Sequence, residues 1–202
     1  KIVKGVDKIT KNINDVLLNS ESDNGYKAQL YKRTNHGHVE FVYAFAGTDD
    51  WSDVVDDIDQ YYGGSPNQYK MAVANAEILS SILKEKYGNN VDFTFVGHSL
   101  GGGEAAAASM ATGFDAITFN PAAVTSDDLL GNPSHITNNI ALGTKLFTIF
   151  GKDVYYGGDM LHNFQSNTNV DIPGAINYSQ LGTGATHTID DFYNYFYKDR
   201  DE

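Results

Sequence analysis

Gly97-His98-Ser99-Leu100-Gly101 brackets a serine with two glycines, directly after an apolar β-type run (Val91 to Val96) and directly before an alanine-rich helical one. A chain turning sharply from strand into helix has no room for bulk two residues before or after the turn. Glycines at 97 and 101 remove that clash and leave Ser99 exposed on a tight elbow. The pentapeptide alone decides little, since average usage produces it by chance in roughly one chain of this size in fifteen. Strand, elbow and small-residue helix together favour a nucleophile over a structural serine.

A serine hydroxyl needs a neighbouring base to take its proton, usually a histidine oriented by a buried carboxylate. Of the six histidines, His98 adjoins the nucleophile and should point away from the base position. His36 and His38 lie in or beside a hairpin turn and His135 in a loop, so these read as solvated surface residues. His162 and His187 remain. His187, in the turn Gly184-Ala185-Thr186-His187-Thr188 before a C-terminal helix, is the preferred base, because a loop beyond the last strand is where this topology places it. The preferred acid is Asp153, three residues past a strand ending at Phe150; carboxyl ends of strands gather catalytic groups in open α/β sheets. Asp159 competes with it, whereas Asp127 and Asp128 are explained by capping at a helix start. The resulting chain order is Ser, Asp, His. An oxyanion would take one donor from the Leu100 N–H at the helix start and a second from Thr48, after the strand ending Phe45-Ala46-Gly47. The competing reading of Thr48 is a helix N-cap.

These groups need a scaffold, and its elements are visible as patterns. Val6, Ile9, Ile13, Val16 and Leu17 predict a first helix. Tyr26 to Lys32 and His38 to Ala46 read as strands joined through Asn35-His36-Gly37. Trp51, Val54, Val55 and Ile58 form an apolar stripe that ends at Gly63-Gly64-Ser65-Pro66. Gln68 to Tyr87 is an amphipathic helix with Met71, Ala74, Ile78, Leu79, Ile82 and Leu83 on its apolar face. After strand 91–96 and helix 100–112 come strands Ala116–Phe119 and Lys145–Phe150, some 25 residues apart. Gly151 to Thr186 reads as irregular, and Ile189 to Tyr197 as a closing helix. This alternation predicts an α/β fold, with a mostly parallel central sheet and helices on both faces. No repeat or linker divides the chain, so residues 1–202 read as a single domain.

Composition narrows the field. A net charge of −12 leaves no basic stripe to neutralise phosphates, which argues against a nucleic-acid partner and against long-range attraction to anionic membranes. Without cysteine there are no disulfides or thiolate metal sites, and the compartment stays open. The acidic run Asp49 to Asp59 lacks the glycine and terminal glutamate of an EF-hand loop, so no metal or cofactor is inferred. The chain opens Lys1-Ile2-Val3-Lys4, without an initiating Met or a signal peptide; a processed form or a piece of a longer exported chain is expected.

Phe45-Ala46-Gly47-Thr48 followed by Asp50-Trp51 and Asp53, Gly97-His98-Ser99-Leu100-Gly101-Gly102, Thr118-Phe119-Asn120-Pro121, Gly151-Lys152-Asp153-Val154, and His187 before Phe192 resemble the class-three (fungal-type) lipases of the α/β-hydrolase fold. The resemblance spans about residues 26 to 197. It departs from the family in having Ala46 where arginine is usual, in lacking cysteine and in its short length. It implies Ser99 as nucleophile, Asp153 as acid, His187 as base, Thr48 and Leu100 as oxyanion donors, and a lid at Asp50–Tyr62, although a plain surface helix would have the same pattern there. The implied function is a serine hydrolase acting on acyl esters of lipids or phospholipids, with transient membrane contact. A secreted or exported effector with a protective inhibitor protein is the extended form of that expectation. The rivals are an esterase for short or carbohydrate-linked acyl groups and a non-catalytic binding module.

Overall fold

A computed structural model describes residues 6–8, 26–47, 66–124, 131–149, 152–158, 172, 174–180, 189, 190 and 192. Its strands are β1 (Val6–Lys8), β2 (Ala28–Asn35), β3 (His38–Phe45), β4 (Asp92–His98), β5 (Asp115–Phe119), β6 (Ile136–Ile149), β7 (Lys152–Gly158) and β8 (Ala175–Gln180). The helices are α1 (Pro66–Tyr87), between β3 and β4, and α2 (Leu100–Thr112), between β4 and β5. The strands form one sheet in the order β1-β2-β3-β4-β5-β6-β7, with β8 also paired to β6. Its centre, β3-β4-β5-β6, and the β6–β8 pair are parallel, while β1–β2, β2–β3 and β6–β7 are antiparallel. The mostly parallel α/β sheet is therefore present.

The β2–β3 hairpin closes through His36 (φ 48) and Gly37 (φ 83), with Asn35 opposite His38. Two consecutive left-handed residues match the twist of the flanking strands, which is why Asn35-His36-Gly37 was legible as a turn. One sheet face carries Leu30, Phe41, Tyr43, Phe45, Phe93 and Phe95, packed with Ala76, Leu79 and Leu83 of α1 and Ala105, Ala106 and Ala108 of α2. The two helices also pack on each other. The other face receives the helical residue Phe192, whose ring lies 5.2 Å from that of Phe119.

Four expectations are corrected. Val6 to Lys8 is a strand, not the start of a helix: it pairs with Tyr31 to Arg33, an edge that helical periodicity cannot reveal. The predicted residues 9–17 lie outside the described set. The buried stripe of α1 is rotated from the predicted one. Ala72, Asn75, Ala76, Leu79, Ser80 and Leu83 are buried, whereas Ile78 is 42% exposed. Small residues let α1 approach the alanines of α2 closely, and that gain outweighs burying one larger isoleucine. The strand read at 145–150 begins at Ile136, because Asn138 and Asn139 find partners on β5 and need no water. Finally, the stretch read as irregular from Gly151 contains β7 and β8, whose backbones pair along β6. Their polar, tyrosine-rich composition hid them.

Candidate active site

The elbow is built by backbone crowding. A Cβ on Gly97 would overlap the Gly101 carbonyl and stand 2.7 Å from the Gly102 nitrogen; one on Gly101 would stand 2.5 Å from the Phe45 oxygen. Between them Ser99 takes φ 57 and ψ −125, a conformation that costs a non-glycine residue about 1–3 kcal/mol. The surrounding hydrogen bonds hold it there. The Ser99 N–H donates to the Phe119 carbonyl at 3.1 Å, and the Ser99 carbonyl accepts from Gly102 (2.9 Å), Gly103 (3.2 Å) and Ala122 (2.8 Å).

Ser99 stands at the N-cap of α2, where a structural serine would bond an N–H of the first turn with its side chain. It makes no such bond. The expected exposure of Ser99 is corrected: the residue is 3% exposed, and its Oγ is buried with no hydrogen-bond partner among the described residues, because the chain leaving β3 and the turn after β5 close around the elbow. An unpaired buried hydroxyl costs about 1–3 kcal/mol. Neither the backbone strain nor the unused hydroxyl is explained by a helix-capping role for Ser99.

Leu100, the first residue of α2, is 7% exposed and immediately follows Ser99. Its N–H is among the first four of the helix, which have no intrahelical acceptor. A Cβ on Gly47 would stand 2.8 Å from the His98 oxygen and 3.4 Å from the Ser99 Cβ, so the chain leaving β3 passes against the elbow. Thr48, the next residue, and the segment 50–62 read as a lid both lie outside the described residues.

His187 and His162 also lie outside them, yet the neighbours of His187 are informative. Ile189, Asp190 and Phe192 are helical, and Phe192 stacks edge-on against Phe119, the residue whose carbonyl holds the Ser99 N–H. Three helical steps from Phe192 to Ile189 rise about 4.5 Å and two further residues add at most about 7 Å, so His187 lies within about 12 Å of Phe192 along the chain. Asp153 is placed differently from the expected loop. Its backbone belongs to β7, opposite Thr148. Asn139 on β6 stands level with Phe119, so a straight strand would carry Thr148 about 30 Å farther on. The ladder has a bulge between Lys145 and Phe147. Strand pairing by itself does not bring Asp153 to Ser99. The other four histidines behave as surface groups or neighbours: His36, His38 and His135 are exposed and His98 is half-buried at the end of β4.

Two buried polar sets were missed in the sequence. Asn120 (φ 42) directly follows β5, and its N–H donates to the Asn139 carbonyl at 2.8 Å while its Oδ1 accepts from the Ala141 N–H at 2.9 Å. With Thr118 Oγ1 donating to Asn138 Oδ1 at 2.6 Å, this clamp sets the turn that delivers Ala122 to the Ser99 carbonyl. The signal was Asn-Pro directly after a strand, a left-handed position followed by a residue that cannot donate.

Glu104, one helical turn past Leu100, is the second. It is 1% exposed, Oε2 has no partner among the described residues, and Tyr26, Tyr43 and Tyr69 face it. Burial raises its carboxyl well above the ordinary carboxylate range. Burial also pushes the Tyr43 hydroxyl up to about 12. A carboxyl raised in the folded state contributes stability that is full below its unfolded pKa and declines as pH rises toward the folded value. Thermal midpoints of the wild type should therefore fall from about pH 4.5 upward relative to Glu104→Gln. Parallel midpoint curves for the two proteins would show that Glu104 is not held protonated.

A family model described as Phospholipase-like, Tle-like phospholipase domain, matches residues 6–197. The chain belongs to this family. The phospholipase-like domain is also 34% identical over 182 residues to the Extracellular phospholipase A1 of Serratia liquefaciens, an alignment covering 85% of this chain and 50% of the relative. It thus spans about half the length of that curated relative. No helix among the described residues of the domain is long and apolar enough to cross a membrane.

Proposed function

We propose that this domain is a serine esterase that cleaves an acyl ester of a phospholipid. The observation that carries the reading is Ser99: strained, buried and without a side-chain cap bond at the N-terminus of α2. The family and the phospholipase A1 relative supply the substrate class. In the reaction, the Ser99 Oγ attacks the ester carbonyl as His187 takes its proton, and the oxyanion is met by the N–H groups of Leu100 and Thr48. Collapse expels the lysophospholipid, protonated by His187, and leaves an acyl-Ser99. Water, deprotonated by His187, then releases the fatty acid.

Support for His187 is the packing of Phe192 beside the elbow, and for Thr48 the approach of Gly47 to Ser99. Asp153 is proposed as the acid from its motif and chain order, a role that requires the β6–β7 hairpin to curl back over the elbow. The likeness to class-three lipases, secretion or export, contact with a membrane surface through segment 50–62, and an inhibitor protein that protects the producing cell belong to the same proposal.

Fatty-acid release from mixed phospholipid micelles, set beside hydrolysis of a short soluble ester, tests the substrate. The domain should gain rate at the lipid interface, and His187→Ala should lower it by about 10³-fold or more. Faster turnover of the short ester would make it a short-chain esterase. A His187→Ala variant with full activity would move the base to His162.

A further inference from the structure

The end of the sheet away from Ser99 carries side chains that ester cleavage does not use. His38 and Glu40 are two residues apart on β3 and so project from the same face, and Asp92 on β4 is the register partner of Glu40. His38 Nε2 stands 3.1 Å from Asp92 Oδ2 and 3.9 Å from Glu40 Oε1. One ligand atom from each of the three lies within 4.8 Å of the others. Donors held about 2.0–2.1 Å from a zinc ion are separated by about 3.4 Å along the edges of a tetrahedron. Modest rotations of these side chains close that difference, while two hydrogen-bonded strands hold their Cα atoms in register.

We propose that His38, Glu40 and Asp92 form a binding site for a divalent transition ion of the zinc type, with water completing its coordination. One imidazole and two carboxylates suit zinc, whereas calcium asks for six to eight oxygens. Arg33 supports the arrangement from behind: its Nε donates to Glu40 Oε2 at 2.6 Å, orienting the carboxylate and leaving Oε1 for the ion. Its positive charge lowers the affinity of the site for a cation. Access is open, with the side chains of His38, Glu40 and Asp92 exposed by 60%, 25% and 47%. An adjoining cleft of about 410 Å³, lined by His38, Asn90, Asp92, Asp115 and His135 among others, leaves space for water ligands. Asp92 and Ser99 are seven residues apart along a strand and its elbow, about 23 Å, so the ion braces β3 against β4 and takes no part in the ester chemistry.

Titrating chelator-treated protein with zinc chloride against a chromophoric chelator tests the site. One ion should bind per chain and raise the thermal midpoint. His38→Ala and Asp92→Asn should each weaken binding at least tenfold while leaving the circular dichroism spectrum unchanged, and His135→Ala should bind as the wild type does. Absence of binding at millimolar zinc overturns the proposal. So does a His38→Ala protein that retains it, or loss of binding in His135→Ala, which would transfer the ion to the His135–Asp115 pair.

Discussion

Replacing Ser99 by alanine is expected to lower phospholipid hydrolysis by about 10⁴- to 10⁶-fold and to abolish labelling by a fluorophosphonate. The magnitude follows from the chemistry, since without the Oγ there is no acyl-enzyme and only the oxyanion donors and substrate binding remain. The structure adds a second expectation that separates a nucleophile from a structural serine. Ser99 holds φ 57 with an unpaired buried hydroxyl, and both features destabilise the fold. Ser99→Gly should therefore raise the unfolding free energy by about 1–3 kcal/mol while losing the same activity. Urea denaturation measures the first change and fatty-acid titration the second. An inactive but markedly less stable Ser99→Gly protein would mean that the hydroxyl holds the elbow together, and a fully active Ser99→Ala protein would end the serine-esterase reading.

The largest structural effect should come from Gly97→Ala. The added Cβ would meet the Gly101 carbonyl and the Gly102 nitrogen, which are backbone atoms of a buried helix start. Neither can move without displacing α2 from β3 and β4, so a loss of about 3–5 kcal/mol is expected. Gly88 calibrates this value. It has φ 90 but nothing within 4 Å of an added Cβ, so its alanine variant registers backbone strain alone, about 1 kcal/mol. If the two variants shift the urea midpoint equally, the elbow is not packed as described.

Much of this architecture is legible in the sequence because local rules dominate in the elbow and the central strands. The elbow, β2 to β5 and both helices announce themselves through glycine spacing, alternation and turn residues, and α2 starts and stops at the residues predicted. The readings that failed share a cause. Val6–Lys8, the start of β6 and strands β7 and β8 are defined by partners supplied from distant sequence, such as Arg33 for Val6 and Thr118 for Asn138. Local periodicity carries no record of such partners.

The candidate site divides in the same way. Sequence alone determined that Ser99 sits between a strand and a helix with room made by Gly97 and Gly101, because steric exclusion acts between residues only a few bonds apart. Spacing and resemblance also lead to the proposal of Leu100 and Thr48 as oxyanion donors and His187 as the base. Only the tertiary structure decided that the hydroxyl is buried and uncapped, that Asn120 and Ala122 clamp its backbone, and that Glu104 lies dehydrated beneath the elbow. It also gathered His38, Glu40 and Asp92 at the opposite end of the sheet. Burial, strain and convergence of side chains depend on what packs across the sheet, and that is a property of the whole fold.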